Sequence, residues 1–248
     1  EQDNGSNFQA ERGYAMIGLG GAEARGDHSG AITINGGGNL DLIAGEGNRS
    51  FAMIGSGGID TDRLNDDNQR ATDIGQTATI NIDIAGKLTM MGGGLQNTDT
   101  AGFATSVFTA IGGGITEYAF VQIGAGGALS GGDHHADINI LTGGPSLVGG
   151  VYLEAGNNTL LPYAQIGSGG YGGRSRNVSG NVSVVARSGD ITLQGSIPVV
   201  DGLDNVRAPA NPGNIGIGQD AYVQIGNGGF DTDAQSGNQN NSRDNGGY

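Results

Sequence analysis

Branched apolar residues alternate with polar ones in short runs along this chain, and nearly every run stops at glycine. In GAITING (30–36), Ile32 and Ile34 flank Thr33. In TATINIDIAG (77–86), Ile80, Ile82 and Ile84 alternate with Asn81 and Asp83. ADINILTGG (136–144) and GNVSVVARSG (180–189) repeat the pattern. Each is followed by a second kind of run: NLDLIAG (39–45), KLTMMGGG (87–94), LVGGVYLEAG (147–156) and DITLQGS (190–196). A third kind recurs as YAMIGLGG (14–21), FAMIGSGG (51–58), FVQIGAGG (120–127), YAQIGSGG (163–170) and YVQIGNGG (222–229), with a looser FTAIGGG at 108–114. A period of two in segments rich in Ile, Val and Thr marks a strand with one buried face. One unit therefore reads as the aromatic-led strand, a polar loop, and then two further short strands.

Strands this short cannot bury a face alone, but stacked in parallel, like with like, they enclose a continuous core. The predicted fold is all-β: a parallel β-helix (β-solenoid) of short Gly-punctuated strands, with polar loops inserted at one corner. An antiparallel sandwich or barrel also accommodates short strands and turn signals. The stack is preferred because recurring strands share sequence, and only a stack brings equivalent residues into contact. The whole of 1–248 reads as one array, with a lead-in at 1–13, irregular insertions at 95–117 and 197–216, and a polar loop or tail at 230–248. Ile111 and Ile123 lie too close together for a full turn between them, so FTAIGGG reads as a decoy or part of a local hairpin.

The repeated rung is carried by Tyr14, Ile17, Phe51, Ile54, Phe120, Ile123, Tyr163, Ile166, Tyr222 and Ile225. Alternation places Ala15/Ile17, Ala52/Ile54, Val121/Ile123, Ala164/Ile166 and Val223/Ile225 on the inner face. The aromatics share the other face with Met16, Met53, Gln122, Gln165 and Gln224. Two readings of the aromatics compete. They stack as a structural ladder, each pair contributing about 0.5–1.5 kcal/mol, or they form an exposed stripe that binds a partner. The ladder is preferred, and the glutamines suit amide ladders of the kind that support stacked parallel strands. The glycines after Ile are expected to turn the chain into the loop that follows, since corners need positive φ.

Composition supports the all-β reading. The chain has 52 Gly, and each interior Gly costs a helix about 1 kcal/mol, so helix is expected to be nearly absent. The formal net charge is -14 and only 11 residues are Lys or Arg. Without a basic stripe, neither nucleic-acid binding nor attraction to anionic membranes is expected. No apolar run approaches the roughly 18 residues of a spanning helix, so no membrane insertion is expected. The absence of Cys removes disulfides, thiolate metal sites and Cys nucleophiles. The polar opening EQDNGSNFQAERG reads as the start of a mature or excised segment.

Candidate chemistry is sparse. Asp60, Asp62, Asp231 and Asp233 occupy equivalent loop places and form the one candidate metal set, for calcium, since oxygen ligands at such spacing suit that ion. Solvated loop carboxylates are the preferred account of them. His134 and His135 are adjacent, so an extended chain sends them to opposite sides. With His28 in GDHSG they read as a shared turn sequence. A β-helix hydrolase would align carboxylates on an outer face. Asp41, Asp83, Asp137 and Asp190 are the strand-associated acids, a weak set. No nucleophile elbow, phosphate loop or dinucleotide fingerprint is present.

The copies of YAxIGxGG, with SGxIxI- and xLxL-type strands between them, resemble the repeat regions of filamentous-haemagglutinin-like large bacterial adhesins and exoproteins. The likeness runs from about residue 14 to 229. It implies a right-handed parallel β-helix displayed as a stalk or fibre, extracellular or at the bacterial surface. The family's N-terminal secretion domain is not visible, and no binding residue carries over. The expected function is non-enzymatic, structural or adhesive. Expected partners are neighbouring repeats or further copies of the chain, and a cell-surface or polysaccharide receptor. The alternatives are a filament subunit stacking end to end and a carbohydrate-active β-helix enzyme. No cofactor is expected beyond the calcium candidate. The chain opens and closes near an aromatic-led strand, which suggests one segment of a longer array or a subunit whose ends meet other copies.

Overall fold

The structure, a computed structural model, describes residues 13–45, 49–61, 75–92, 116–117, 119–156, 159–160, 162–172, 177–195, 200–201, 205–206 and 221–229. These residues form strands and no helix. The chain runs through β1 (Tyr14–Ala22), β2 (His28–Gly36), β3 (Leu40–Ile43), β4 (Phe51–Ile59), β5 (Gly75–Ile84), β6 (Lys87–Met91), the short β7 (Thr116–Glu117), β8 (Phe120–Ala128), β9 (Asp133–Thr142) and β10 (Gly150–Glu154). It continues through β11 (Thr159–Leu160), β12 (Tyr163–Ile166), β13 (Val178–Ser179), β14 (Val182–Ala186), β15 (Ile191–Gln194), β16 (Val200–Asp201), β17 (Asn205–Val206) and β18 (Tyr222–Ile225).

Three parallel sheets account for most of these strands. The first has the order β1-β4-β8-β12-β18 and collects every aromatic-led motif. The second runs β2-β5-β9, with β13 and β14 both pairing onto β9. The third runs β3-β6-β10-β15. Each successive strand in a sheet is one further pass of the chain, as the predicted three-strand unit requires. Register follows the repeat: Ile17 pairs with Ile54, Ile54 with Ile123, Ile123 with Ile166, and Ile166 with Ile225. Ile32, Ile80, Ile138 and Val182 align in the second sheet. Leu40, Leu88, Val151 and Ile191 align in the third. The parallel pairing removes the antiparallel sandwich for these sheets. Ile111 lies outside the described residues, as do most of the predicted insertions.

The apolar face of all three sheets contributes to one core. Ile54, Ile123 and Ile166 of the first sheet pack in the same cluster as Ile80, Ile82 and Ile140 of the second and Leu88, Met90 and Leu153 of the third. Cover runs out toward the ends. The equivalent core positions Ile17, Ile191 and Leu193 are 50%, 42% and 46% exposed.

The glycines do not act where the sequence suggested. Pairing continues straight through them to Ala22, Ile59 and Ala128. The exit comes one residue later, at Glu23, Asp60 and Leu129, with φ of 57°, 53° and 56°. The glycines bend the strand from within. Gly55, Gly57 and Gly58 have φ of 148°, 122° and 138°, values open only to glycine, and the other copies repeat this. The bend lays the aromatic ring that opens the strand across the glycine pair that closes it. A Cβ on Gly21 would lie 2.9 Å from the Tyr14 hydroxyl, and one on Gly170 would lie 3.0 Å from that of Tyr163.

Candidate functional site

The recurring aromatics form an unbroken column. Ring centroids are 4.8 Å apart from Tyr14 to Phe51, 5.1 Å to Phe120, 4.7 Å to Tyr163 and 4.9 Å to Tyr222, with planes within 9° of parallel. Phe51, Phe120 and Tyr163 are fully buried, in a second apolar cluster with Met53, Ile59 and Ala128. The exposed-stripe reading therefore fails for the inner rungs. Parallel strands bring equivalent residues roughly 4.8 Å apart, which is stacking distance, so one aromatic per rung at one register position suffices to build the column.

The glutamines do something other than the expected amide ladder. Gln122 Nε2 donates to the Ala125 carbonyl of its own rung and to the Gly167 and Gly169 carbonyls of the next. Gln165 repeats this with Ser168, Gly226 and Gly228. Each amide thus clamps the glycine bend of two rungs. Its oxygen takes the next ring's hydroxyl: Tyr163 donates to Gln122 Oε1 at 3.3 Å, and Tyr222 to Gln165 Oε1 at 3.4 Å. Residue choice follows from this bond. A Tyr stands after each Gln rung, and a Phe after each Met rung (Met16 then Phe51, Met53 then Phe120).

The histidines separate as predicted. His134 points inward and is fully buried, with Nε2 3.2 Å from the Gly131 carbonyl and Nδ1 without a partner. His135 points out, with Nδ1 2.9 Å from Ser179 Oγ. His28 and His134 occupy the same register position, each aligned with Gln76. The aspartate before each histidine has a structural task. Asp27 accepts the Gly75 amide at 2.8 Å and Asp133 the Asn177 amide at 3.1 Å, each from the following rung. This accounts for GDH recurring as a unit.

Burial lowers the His134 pKa to about 4. The unfolded chain takes up this proton near pH 6.5, whereas the folded chain stays neutral to about pH 4. Stability from this group is therefore full above pH 6.5 and is lost as pH falls, by about 3 kcal/mol at pH 4. His134→Gln is expected to flatten that loss, because Gln76 already occupies the position one rung earlier. Denaturant midpoints between pH 7.5 and 4.5 test this. An equal acid-induced drop in parent and variant would assign the sensitivity elsewhere.

The remaining candidate residues do not converge. The Asp60 carboxylate binds Arg49 at 3.0 Å, and Asp62, Asp231 and Asp233 lie outside the described residues. Among the described residues no group of three or more His, Cys, Asp or Glu side chains is placed to hold a metal. Asp83 and Asp137 share the outer face of the second sheet, but Asp137 aligns with Thr79. That offsets the two acids by roughly 13 Å along the strand, against the about 5–10 Å of a glycosidase pair. Asp83 holds Arg187 through two bonds of 2.8 and 3.1 Å. Asp137 accepts two bonds from Asn181, which with His135 hold its pKa down. Asp41 lies on the third sheet, and the Asp190 backbone carbonyl accepts the Val151 amide.

One polar cluster escaped the sequence reading. Glu154 is buried, receives the Tyr152 hydroxyl at 2.6 Å on one oxygen, and has no partner on the other. Burial raises its pKa, while the bond from Tyr152 pulls it back down. Tyr152 also reaches Gln194 at 2.9 Å, and Lys87 Nζ lies 5.1 Å from its ring centre. The register aligns Glu154 with Gln194, so writing LVGGVYLEAG above DITLQGS was the signal that could have found the pair.

No family model, curated protein or solved structure matches this chain.

Proposed function

We propose that the three sheets close around their shared core as a parallel β-solenoid, and that the chain is a non-enzymatic structural segment of a stalk or fibre. On this reading it belongs outside the cell or at a bacterial surface, in the manner of the filamentous-haemagglutinin-like exoproteins that its repeats resemble. Adhesion to a surface or polysaccharide receptor would then fall to the unequal loops, not to the rungs. The observation that supports this best is the aromatic column, in which five rings from five passes of the chain stack in one register. Such a column stiffens a stack along its axis and supplies no reactive group. Force along that axis would load the inter-strand hydrogen bonds of all three sheets together.

Small-angle scattering and electron microscopy of the purified chain test the shape. Rods lengthening by roughly 4.8 Å per rung are expected, and a compact isometric particle would remove the solenoid. A polysaccharide screen tests the non-enzymatic half. Turnover that is lost in Asp83→Asn or Asp137→Asn would overturn it.

A further inference from the structure

One line of side chains on the outer face of the second sheet has the composition of a reactive site. β13 pairs with β9 so that Ser179 stands opposite His135. The Ser179 hydroxyl lies 2.9 Å from His135 Nδ1. Two residues along the same face of β9, Asp137 Oδ2 lies 3.5 Å from His135 Nε2. The other oxygen of Asp137 is held by Asn181, through its backbone amide at 2.9 Å and its side-chain amide at 3.0 Å. Those bonds and His135 keep the Asp137 pKa down, so it is a carboxylate at neutral pH. A carboxylate only accepts, which favours the imidazole proton on Nε2 and leaves Nδ1 to accept the Ser179 hydroxyl. A nucleophile, a base and a group that orients the base thus stand in line. All three reach solvent: the His135 and Asp137 side chains are 43% and 46% exposed, and Ser179 is exposed.

We propose that Ser179 is an acyl-acceptor site for neutral activated esters, with His135 as its general base and Asp137 as the residue that positions the imidazole. The Ser179 oxygen bonds to the acyl carbon, and the bond from that carbon to the leaving oxygen breaks. The hydroxyl proton passes to His135 Nδ1 and from there to the departing oxygen. The products are an O-acyl serine and a free alcohol or phenol. General-base assistance of this kind is worth about 10²–10⁴-fold. A preorganised oxyanion hole supplies about 10²–10³-fold in hydrolases, but on an open sheet face water holds the oxyanion. The ester therefore needs a good leaving group such as a phenolate. Asp133 and Asp137 flank His135 on its own strand, and the chain carries -14, so an anionic ester is repelled. The neighbouring strands β5 and β13 place Thr77 and Ser179 opposite His135, and neither titrates with it. The proposal goes beyond the structural reading above. One acylation per chain leaves that reading intact, and the contact depends on the pairing of β9 with β13, not on closure of the sheets.

Exposure of the 248-residue chain to p-nitrophenyl acetate tests the proposal, read by p-nitrophenol release and by peptide mass spectrometry. One acetyl group on Ser179 is expected, at a rate that climbs between about pH 5 and 8 as an imidazole loses its proton. Ser179→Ala should abolish that acetylation. His135→Gln should slow it at least about 10-fold and flatten the climb. Asp137→Asn should slow it about 3–10-fold while the climb remains, a pattern that a merely structural role would not produce. Asp83→Asn, on the same face, should change nothing. Acetyl groups on other residues with none on Ser179 overturn the proposal, as does a Ser179 rate untouched by His135→Gln. Release that continues past one equivalent and is lost in Ser179→Ala supports Ser179 as the nucleophile, and overturns instead the reading of a chain without turnover. Circular dichroism and melting of each variant show that folding is unchanged.

Discussion

Gly57→Ala is expected to destabilise the chain by about 3–5 kcal/mol, combining backbone strain with a collision that has no room to relax. Gly57 has a φ of 122°, and a Cβ there would drive into the Gly126 carbonyl of the next rung. That carbonyl sits in a paired strand, so it cannot move without displacing the rung beyond it. The bend therefore demands glycine twice, for its torsion and for the spacing of backbones. Gly37→Ala is the control, because its Cβ would meet nothing within 4 Å and no left-handed torsion is required there. Urea denaturation of both variants measures the difference. Similar midpoints for the two would show that the G-x-G-G bend is not what makes glycine obligatory.

Phe120→Ala is expected to cost about 3–5 kcal/mol, as for other fully buried rings. Phe120 has no exposed surface and is stacked on both faces, against Phe51 and Tyr163. The cavity would lie between two rungs held at a fixed spacing by their backbone bonds, so little collapse can fill it. Loss of two stacking contacts adds to the transfer cost. Tyr14→Ala, at the half-exposed end with a single ring neighbour, should cost about a third as much. Equal losses at the two positions would mean that the column contributes through something other than burial and stacking.

Much of the architecture could be read from the residues, because the repeat turns sequence similarity into spatial adjacency. Ala52 and Ile54, or Ile80 and Ile82, had to face inward once period two was recognised, and the core places them there. The opposed directions of His134 and His135 followed from the same alternation. The roles of polar side chains were less legible, since their partners sit one rung away across loops of unequal length. The sequence around His134 could be seen as a recurring turn, but Asp133 could not be seen as the acceptor for the Asn177 amide. Gln122 suggested pairing with Gln165, yet its amide goes to glycine carbonyls that only the bent strand presents.

The amino-acid order alone was enough to specify short parallel strands, which face of each is apolar, and which residues meet in the stack. Those properties depend on periodicity and on like pairing with like, both local to the text of the chain. Packing had to decide where the strand bends, why Tyr accompanies Gln and Phe accompanies Met, and what each carboxylate holds. Those depend on the distance between one rung and the next, set by backbone hydrogen bonds between residues far apart in the chain.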